Sequence, residues 1–488
     1  MKNKKLQDGI NENKQKDFSE WYTQIVQKAE LADLRYNIKG FIVFQPWAVL
    51  AMEKMFHYLE QALQKKGHKP YWFPTLISEK NLRKESSHIG GFTPEVFWVN
   101  SHGKDEPIEE KMALRPTSET AFYQMFSYWI RSYKDLPFKA YQRANVFRYE
   151  TKATRPFLRS REFHWIETHC AHESEEKAMK QVREDMQTTE EILHKMFGLP
   201  FIFFERPSWD KFPGALRTFA ADVINPDGKV VQQPSTHLLK QDFPKAFDVK
   251  FKDAKGNDRY VFTTCYGPAV SRIFASVVIT HGDDKGLKFP WEIAPLQVVI
   301  VPIDVNDKKI KSEAEKLKKE IEEFASVEID YSEKRPGEKF NYWEMKGVPI
   351  RIDIGTRDLK SKKITLFRRD LDKKIVISES KAVSEIKKIA KETTENLRKK
   401  ADKIFNGRIK DAKNISEIKK IIDNNGIARI PFCSVDKDGE SCAEIIEKEI
   451  SAQVRGTKLD EKQHIQTKSH CAICGDKANH IVYVARAY

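Results

Sequence analysis

Apolar residues recur along the chain with two different periods. Between Pro46 and Lys66, Met52, Met55, Phe56, Leu59 and Leu63 fall three or four apart, the spacing of one buried helical face, and Gly67 supplies the stop. The same spacing returns from about Glu173 to Phe197 through Ala178, Val182, Met186, Leu193 and Phe197, ending at Gly198. Between and after these helices lie β-branched and aromatic stretches near 143–150, 161–168, 229–237 and 259–266. Tyr71-Trp-Phe-Pro-Thr-Leu-Ile77 reads as a strand interrupted at Pro74, because proline has no amide to give to a ladder. Residues 1–16 are polar and lysine-rich and are expected to form a flexible tail. Residues 17–295 are expected to form a mixed, largely antiparallel sheet flanked by helices.

Near residue 296 the pattern changes. Leu296-Gln-Val-Val-Ile-Val-Pro-Ile303 is a short continuous apolar run, as in a strand covered on both faces. It predicts a helix over 308–325, a strand over 326–331, a helix over 337–346 and strands over 348–354 and 363–368. Alternation of this kind defines an α/β domain with a parallel-rich sheet, 296–405, closed by a basic helix over 382–405. The remaining 406–488 forms a third unit.

Composition narrows the class. No window of about 20 apolar residues occurs, which excludes a helical membrane span, and the Met1-Lys-Asn-Lys-Lys start lacks an apolar leader, so a cytoplasmic protein is expected. Lys and Arg number 85 against 71 Asp and Glu, a net charge of +14 that suits a polyanionic partner such as RNA. Six cysteines are too few to scaffold a chain of 488 residues with disulfides. Four of them, Cys433, Cys442, Cys471 and Cys474, cluster near the C-terminus. The Cys-x-x-Cys pair with two upstream thiols fits a tetrahedral structural zinc site, the alternative being four ordinary reduced thiols.

The densest chemistry lies in Phe147-Arg-Tyr-Glu150, a loop carrying Arg155, Arg159 and Arg161, and Glu162-Phe-His-Trp-Ile-Glu167. Four arginines within 14 residues could clamp a triphosphate bidentately, with Phe163 as a flat face for a base. The same run would also suit a solvated basic hairpin. No glycine-rich phosphate loop is present, so a nucleotide site would have to rely on arginine side chains. Downstream, Thr264-Cys-Tyr-Gly-Pro-Ala-Val-Ser-Arg272 leads from a strand into a helix whose N-terminus favours anions.

In combination, the Phe-Arg-x-Glu strand, the arginine loop closed by Arg161-Glu-Phe163 and the later Gly267…Arg272 helix resemble motifs 2 and 3 of class II aminoacyl-tRNA synthetases. The helix leading to Phe73-Pro74 is similar to motif 1, whose proline lies at the family's dimer interface. Leu114-Arg-Pro-Thr-Ser-Glu-Thr120, Phe147-Arg-Tyr-Glu-Thr151, Trp209-Asp-Lys-Phe-Pro-Gly214 and His281-Gly-Asp-Asp-Lys-Gly286 narrow the resemblance to the prolyl-tRNA synthetases of the archaeal/eukaryotic type, over about residues 17–488.

The resemblance implies an α/β multidomain protein. It would have a class II catalytic domain with a helix-flanked antiparallel sheet, an anticodon-binding domain and a small zinc-binding α+β domain. It implies ATP and Mg²⁺ as well as L-proline and tRNA(Pro), in a homodimer with no membrane association. Arg148 would bind the α-phosphate and the proline carboxylate. Glu150 would meet the adenine amino group, Phe163 would stack under the ring, and Arg159 and Ser160 would lie near the triphosphate. Arg272 would lie on the far side of the nucleotide, while Gln232 and Ser235 would contact ribose and phosphate. Thr117, Glu119, Trp165, Glu167, Phe212 and His237 would form the proline pocket with Arg148. The four cysteines would hold structural Zn²⁺, and Tyr488 would match the subtype's terminal tyrosine, packed toward the active site. Arg351, Arg357 and Lys360 would be RNA contacts. The stretch from Phe163 to Gly267 is too short for the editing insertion of bacterial-type relatives, so no editing of mischarged alanine is expected. A threonine-specific enzyme is the alternative within the class, against which Thr117-Ser-Glu119 and the Trp165/Phe212 wall stand. A non-catalytic RNA-binding relative is the alternative outside it, against which Arg148 and Arg272 stand.

Overall fold

The computed structural model describes residues 9–88, 95–150, 153–459 and 469–488. The helix Pro46–Lys65 starts at a proline whose missing amide costs nothing in the first turn, and Gly67 leaves it at φ +87°. Its buried face, including Met52, Met55, Phe56, Leu59 and Leu63, packs into one core with the helix Val270–His281. Full burial of such a side chain contributes about 1.5–3 kcal/mol. The second long helix, Glu175–Thr189, is capped by the Ser174 side chain and continues as π-helical turns over Glu190–Met196.

These helices cover a long, mostly antiparallel sheet. From one edge its strands are Lys69–Pro70, Phe138–Phe147, Glu162–His172, Phe262–Gly267, Lys229–Leu239, Ala215–Ile224 and Ile202–Glu205. The sheet then runs on through Gln453–Lys458, His480–Ala487, Ile427–Phe432 and Ile409–Asp411, all from the C-terminal unit. Thr457 pairs with Glu205, and Lys229 pairs in parallel with Arg486. The last unit therefore shares a sheet with the first, a long-range pairing that no local sequence pattern reveals.

Residues 296–405 contain a five-stranded sheet. Val327–Ile329, Val298–Pro302 and Ile350–Ile354 run parallel, followed by antiparallel Lys363–Arg368 and the unanticipated Lys373–Ser378. The basic helix Ala382–Gly407 covers one side through Ile386 and Ile389.

Three expectations need correction. Of the expected tail 1–16, residues 1–8 lie outside the described residues and part of 9–16 is tied down: the Asn13 Nδ2 and Lys14 main-chain amide bond the Asp284 carboxylate at 2.7 and 2.8 Å, and Lys14 Nζ donates to the Gly282 carbonyl at 2.7 Å. The polar composition of the segment hid side chains that cap a turn. The Tyr71–Ile77 strand does not form as read: Lys69–Pro70 ends before it in the long sheet, residues 71–75 are irregular, and Leu76–Ser78 joins a separate antiparallel sheet with Trp98–His102 and Glu106–Leu114. Arg351 is not a surface contact for RNA. Its buried guanidinium bonds Asp353 Oδ1 at 2.7 Å and Glu344 Oε1 at 3.0 Å, whereas Arg357 and Lys360 are exposed on the helix Thr356–Ser361. Among the described residues, no helix is long and apolar enough to cross a membrane.

Candidate active site

Two cavities open on the sheet and share Arg148 as a wall. The inner, of about 340 Å³, is lined by Thr117, Glu119, Trp165, Glu167, Phe212 and His237, with Gln232 and Ser235. The outer, of about 180 Å³, is lined by Glu150, Arg159, Ser160, Phe163 and Arg272. The structure thus gathers every nucleotide and proline candidate around one guanidinium, though Gln232 and Ser235 border the inner space rather than the outer.

Strand periodicity explains the gathering. On Glu162–His172, the positions 163, 165, 167 and 169 share one face, so Phe163, Trp165, Glu167 and His169 line up toward the cavities. The next strands bring His237 opposite Cys265 and Ser235 opposite Gly267. A Cβ at Gly267 would lie 3.1 Å from the Trp165 ring, so a residue without a side chain lets that ring lie flat against the sheet.

The inner cavity is a network of fixed acceptors and donors. The Thr117 hydroxyl donates to Glu119, at the start of the helix Glu119–Trp129. Gln142 Nε2 donates to Glu167 Oε1 at 2.7 Å, and His169 Nε2 lies 3.3 Å from the other oxygen. Phe212 packs on His237 at 4.8 Å between centroids. The His237 ring nitrogens meet Thr218 Oγ1 and Ser235 Oγ, each at 3.0 Å. Burial, with help from the nearby Arg206 charge, pushes its pKa down to about 3, so the imidazole is neutral at pH 7. Two carboxylates beside an apolar wall suit a small cationic ligand with a hydrocarbon ring.

The outer cavity is cationic. Arg148 donates to the Pro116 carbonyl at 3.2 Å and sits 5.3 Å from the Phe163 ring centroid. Arg272 donates to the carbonyls of Leu158 and Gln232. Burial, then repulsion from Arg148 and Arg159, lowers the Arg272 pKa to about 10, with Glu150 opposing. A half-buried guanidinium crowded by two others calls for an anion. Arg159 also donates to the main-chain oxygen of Tyr488 at 3.2 Å, bringing that residue to the cavity rim.

Gln142, His169, Arg206, Asp210 and Tyr266 also border or brace the inner cavity, and sequence reasoning missed them. The signal available was register: Gln142 is the cross-strand partner of Glu167.

The four C-terminal thiols converge as their spacing suggested. Their sulfurs all lie within 4.8 Å of one another, with Cys433 and Cys442 at 3.7 Å. Four sulfurs about 2.3 Å from a tetrahedral zinc would stand about 3.8 Å apart, so the donor set and its size both fit that ion.

An antiparallel sheet whose Phe-Arg-x-Glu strand and later arginine helix converge on one site defines the catalytic fold of a class II aminoacyl-tRNA synthetase. Residues 97–281 match the tRNA synthetase class II core domain of the G, H, P, S and T group, 297–389 match the anticodon-binding domain, and 415–488 match the prolyl-tRNA synthetase C-terminal domain. The chain is 45% identical to the proline–tRNA ligase of Thermofilum pendens over 98% of its own length and 99% of the relative's. It is 39% identical to that of Pyrococcus abyssi over 97% and 98%. Its fold matches the prolyl-tRNA synthetase of Cryptosporidium parvum, complexed with halofuginone and AMPPNP, with a TM-score of 0.93 and 32% identity over 99% and 100% of the two chains. It matches the Giardia lamblia enzyme in complex with prolyl-adenylate with a TM-score of 0.92 and 36% identity over 97% and 99%. The chain belongs to the prolyl-tRNA synthetases, the proline–tRNA ligases.

Proposed function

We propose that the inner cavity binds L-proline, the outer cavity binds ATP, and Arg148 joins the two reacting groups. One observation carries this reading: Arg148 is the side chain common to a cavity walled by Glu119, Glu167, Trp165 and Phe212 and to a cationic one. Glu119 and Glu167 would hold the secondary ammonium, with Thr117 and the neutral His237 setting the polar rim and Trp165 and Phe212 enclosing the ring. Phe163 would stack under adenine and Glu150 would accept its amino group. Arg159, Ser160 and Arg272 would hold the phosphates, with Gln232 and Ser235 on ribose and phosphate.

The chemistry needs placement and charge neutralisation rather than a protein nucleophile. A proline carboxylate oxygen attacks the α-phosphorus in line, and pyrophosphate leaves. Arg148 can bond both the attacking carboxylate and the α-phosphate oxygens as charge shifts between them, while Arg272 faces the opposite side of the nucleotide. In the second step a terminal ribose hydroxyl of tRNA(Pro) attacks the acyl carbon of prolyl-adenylate and AMP leaves.

Mg²⁺ would arrive on the nucleotide, held largely by phosphate oxygens and water. Cys433, Cys442, Cys471 and Cys474 would bind Zn²⁺ in a closed four-thiolate shell, which leaves no position for substrate and so fits a structural role. Trp72, Pro74 and Leu76 are exposed apolar residues in the segment similar to motif 1, and they support a homodimer through that face. Exposed Arg357 and Lys360 remain candidates for anticodon contact. A tRNA substrate supports action where translation runs, in the cytoplasm. The testing experiment is amino-acid-dependent ATP–pyrophosphate exchange with proline, alanine, cysteine and threonine. Exchange fastest with proline and lost in Arg148→Ala is expected; no exchange from folded protein would refute the reading.

A further inference from the structure

We propose that Arg455, in the C-terminal unit, is a positioning residue for the substrate site, acting through Asp222 and Arg206 on the orientation of the Gln232 amide. This rests on the reading of Gln232 as a substrate contact.

Asp222 is fully buried and grips two guanidiniums. Arg455 Nε donates to its Oδ2 at 2.7 Å and Nη2 to its Oδ1 at 3.3 Å. Arg206 donates Nη2 to Oδ1 at 2.8 Å and Nη1 to Oδ2 at 3.2 Å. The two arginines also meet directly, because Arg206 Nη1 donates to the Arg455 carbonyl at 2.8 Å. Both arginine side chains are almost entirely buried, so this is a desolvated three-charge cluster in which each member holds the others in place.

The cluster ends on the site. Arg206 lines the inner cavity, and its Nη2 donates to Gln232 Oε1 at 3.1 Å. A guanidinium has no acceptor, so the Gln232 amide must turn its oxygen toward Arg206 and its NH₂ group the other way. Asp222 and Gln232 are cross-strand partners, which puts the carboxylate that fixes Arg206 beside the amide that Arg206 fixes.

Backbone geometry supplies the aim. The strand Gln453–Lys458 carries a bulge between Val454 and Gly456, at Arg455. Gly456 has φ +123°, and a Cβ there would lie 2.0 Å from the Glu205 carbonyl oxygen. Only glycine allows this approach, and the resulting bulge turns both the Arg455 side chain and its carbonyl inward. The C-terminal unit therefore does more than extend the sheet: it holds one end of a relay whose other end orients a donor in the cavity.

The test is a double-mutant cycle in full-length protein, read by proline-dependent ATP–pyrophosphate exchange with unfolding midpoints measured in parallel. Arg455→Met should lower kcat/KM for ATP about tenfold in the native background and by less than about twofold in Gln232→Ala, while Arg455→Lys should recover part of the loss. Should Arg455→Met not fold, Arg206→Lys takes its place in the same cycle. An equal loss in both backgrounds would show a general effect on the fold and overturn the relay, as would native activity in folded Arg455→Met. Native activity in Gln232→Ala alone would instead overturn the Gln232 reading, and the relay with it.

Discussion

Gln142 and Glu167 face each other across two antiparallel strands, and the single Gln142 amide nitrogen donates to both Glu167 Oε1 and Ser118 Oγ at 2.7 Å. Its oxygen accepts from the Phe73 amide at 3.1 Å. One buried side chain thus ties an acid of the inner cavity to the loop beside exposed Trp72 and Pro74. Gln142→Leu would leave Glu167 short of a donor to its charged form. A hydrogen bond to a charged group contributes about 1.5–3 kcal/mol, so KM for proline should rise at least about tenfold while KM for ATP moves less than about twofold. Equal increases in both constants would refute a role confined to the amino-acid side.

Exposed Arg148 and half-buried Arg272 should give different losses when removed. Arg272 borders only the outer cavity, whereas Arg148 borders both. Arg272→Ala should cost about 10²–10³ in kcat with proline binding little changed, by the scale seen when one preorganised charge donor is removed. Arg148→Ala should lose a comparable factor and weaken proline binding as well. Equilibrium binding of proline to the two variants separates these outcomes, and unchanged proline affinity in Arg148→Ala would break the link between the cavities.

Much of this site was legible in the residue string because its chemistry is local. Phe163, Trp165 and Glu167 alternate along one strand and Arg148 and Glu150 follow the end of its neighbour, so a spacing of a few residues already brings them together. The helix Pro46–Lys65 was equally readable, since periodicity and Gly67 bound it at both ends. What was hidden depends on pairings across hundreds of residues. Nothing near Arg455 announces Asp222, and nothing near Asn13 announces Asp284. Arg351 failed for a related reason: in sequence a lone arginine on a strand looks the same whether it faces solvent or a buried Asp353.

Burial of neutral histidines sets a pH dependence of stability. Desolvation lowers His68 and His281 to about 4 and His172 and His237 to about 3. Each is therefore uncharged in the folded chain but takes a proton in the unfolded chain below about pH 6.5. Their contribution is complete above that pH and is lost progressively as pH falls toward 4. Asp185, raised to about 7 by burial, and His194, raised by its hydrogen bond to Glu190, work the other way and lose their contributions as pH rises, while His164 and His480, also lowered by burial, add to the four. The unfolding midpoint should fall between pH 6.5 and 5, with stability lost at roughly 1.4 kcal/mol per pH unit for each net proton. His172 Nε2 has no hydrogen-bond partner among the described residues, so His172→Leu should flatten that fall at little structural cost. A midpoint that stays level to pH 5 would contradict the neutral assignment.

Charge in the anticodon-binding domain divides into two kinds with opposite expected phenotypes. Arg357→Ala and Lys360→Ala remove exposed cations and should leave proline-dependent pyrophosphate exchange unchanged while raising KM for tRNA(Pro), with a shallower salt dependence. Arg351→Ala strands the buried Asp353 carboxylate, which also lies 3.9 Å from Lys374, and should cost about 3–5 kcal/mol of domain stability. Aminoacylation against tRNA concentration, alongside thermal unfolding, sorts the two, and a stability loss in Arg357→Ala would count against its exposure to RNA.

Bound zinc would tie the last unit's stability to catalysis, because that unit is part of the catalytic sheet. Cys433 and Cys442 come from the end of one strand and from the helix Glu440–Ile450, while Cys471 and Cys474 sit in the turn before His480–Ala487, so one ion would cross-link separate elements around the same core. Metal analysis of purified protein should give one zinc per chain. Cys442→Ser should lower the zinc content and the unfolding midpoint together, since the free energy of ion binding is stability of the folded unit. The strands that loosen would be Gln453–Lys458 and His480–Ala487, which abut Ile202–Glu205 and Lys229–Leu239 in the sheet carrying Gln232 and His237. Pyrophosphate exchange should therefore fall with zinc loss and return when zinc is restored, even though none of these four cysteines lines either cavity. Full exchange activity in zinc-free, folded protein would separate the ion from the site and leave the four thiols without a role in holding it.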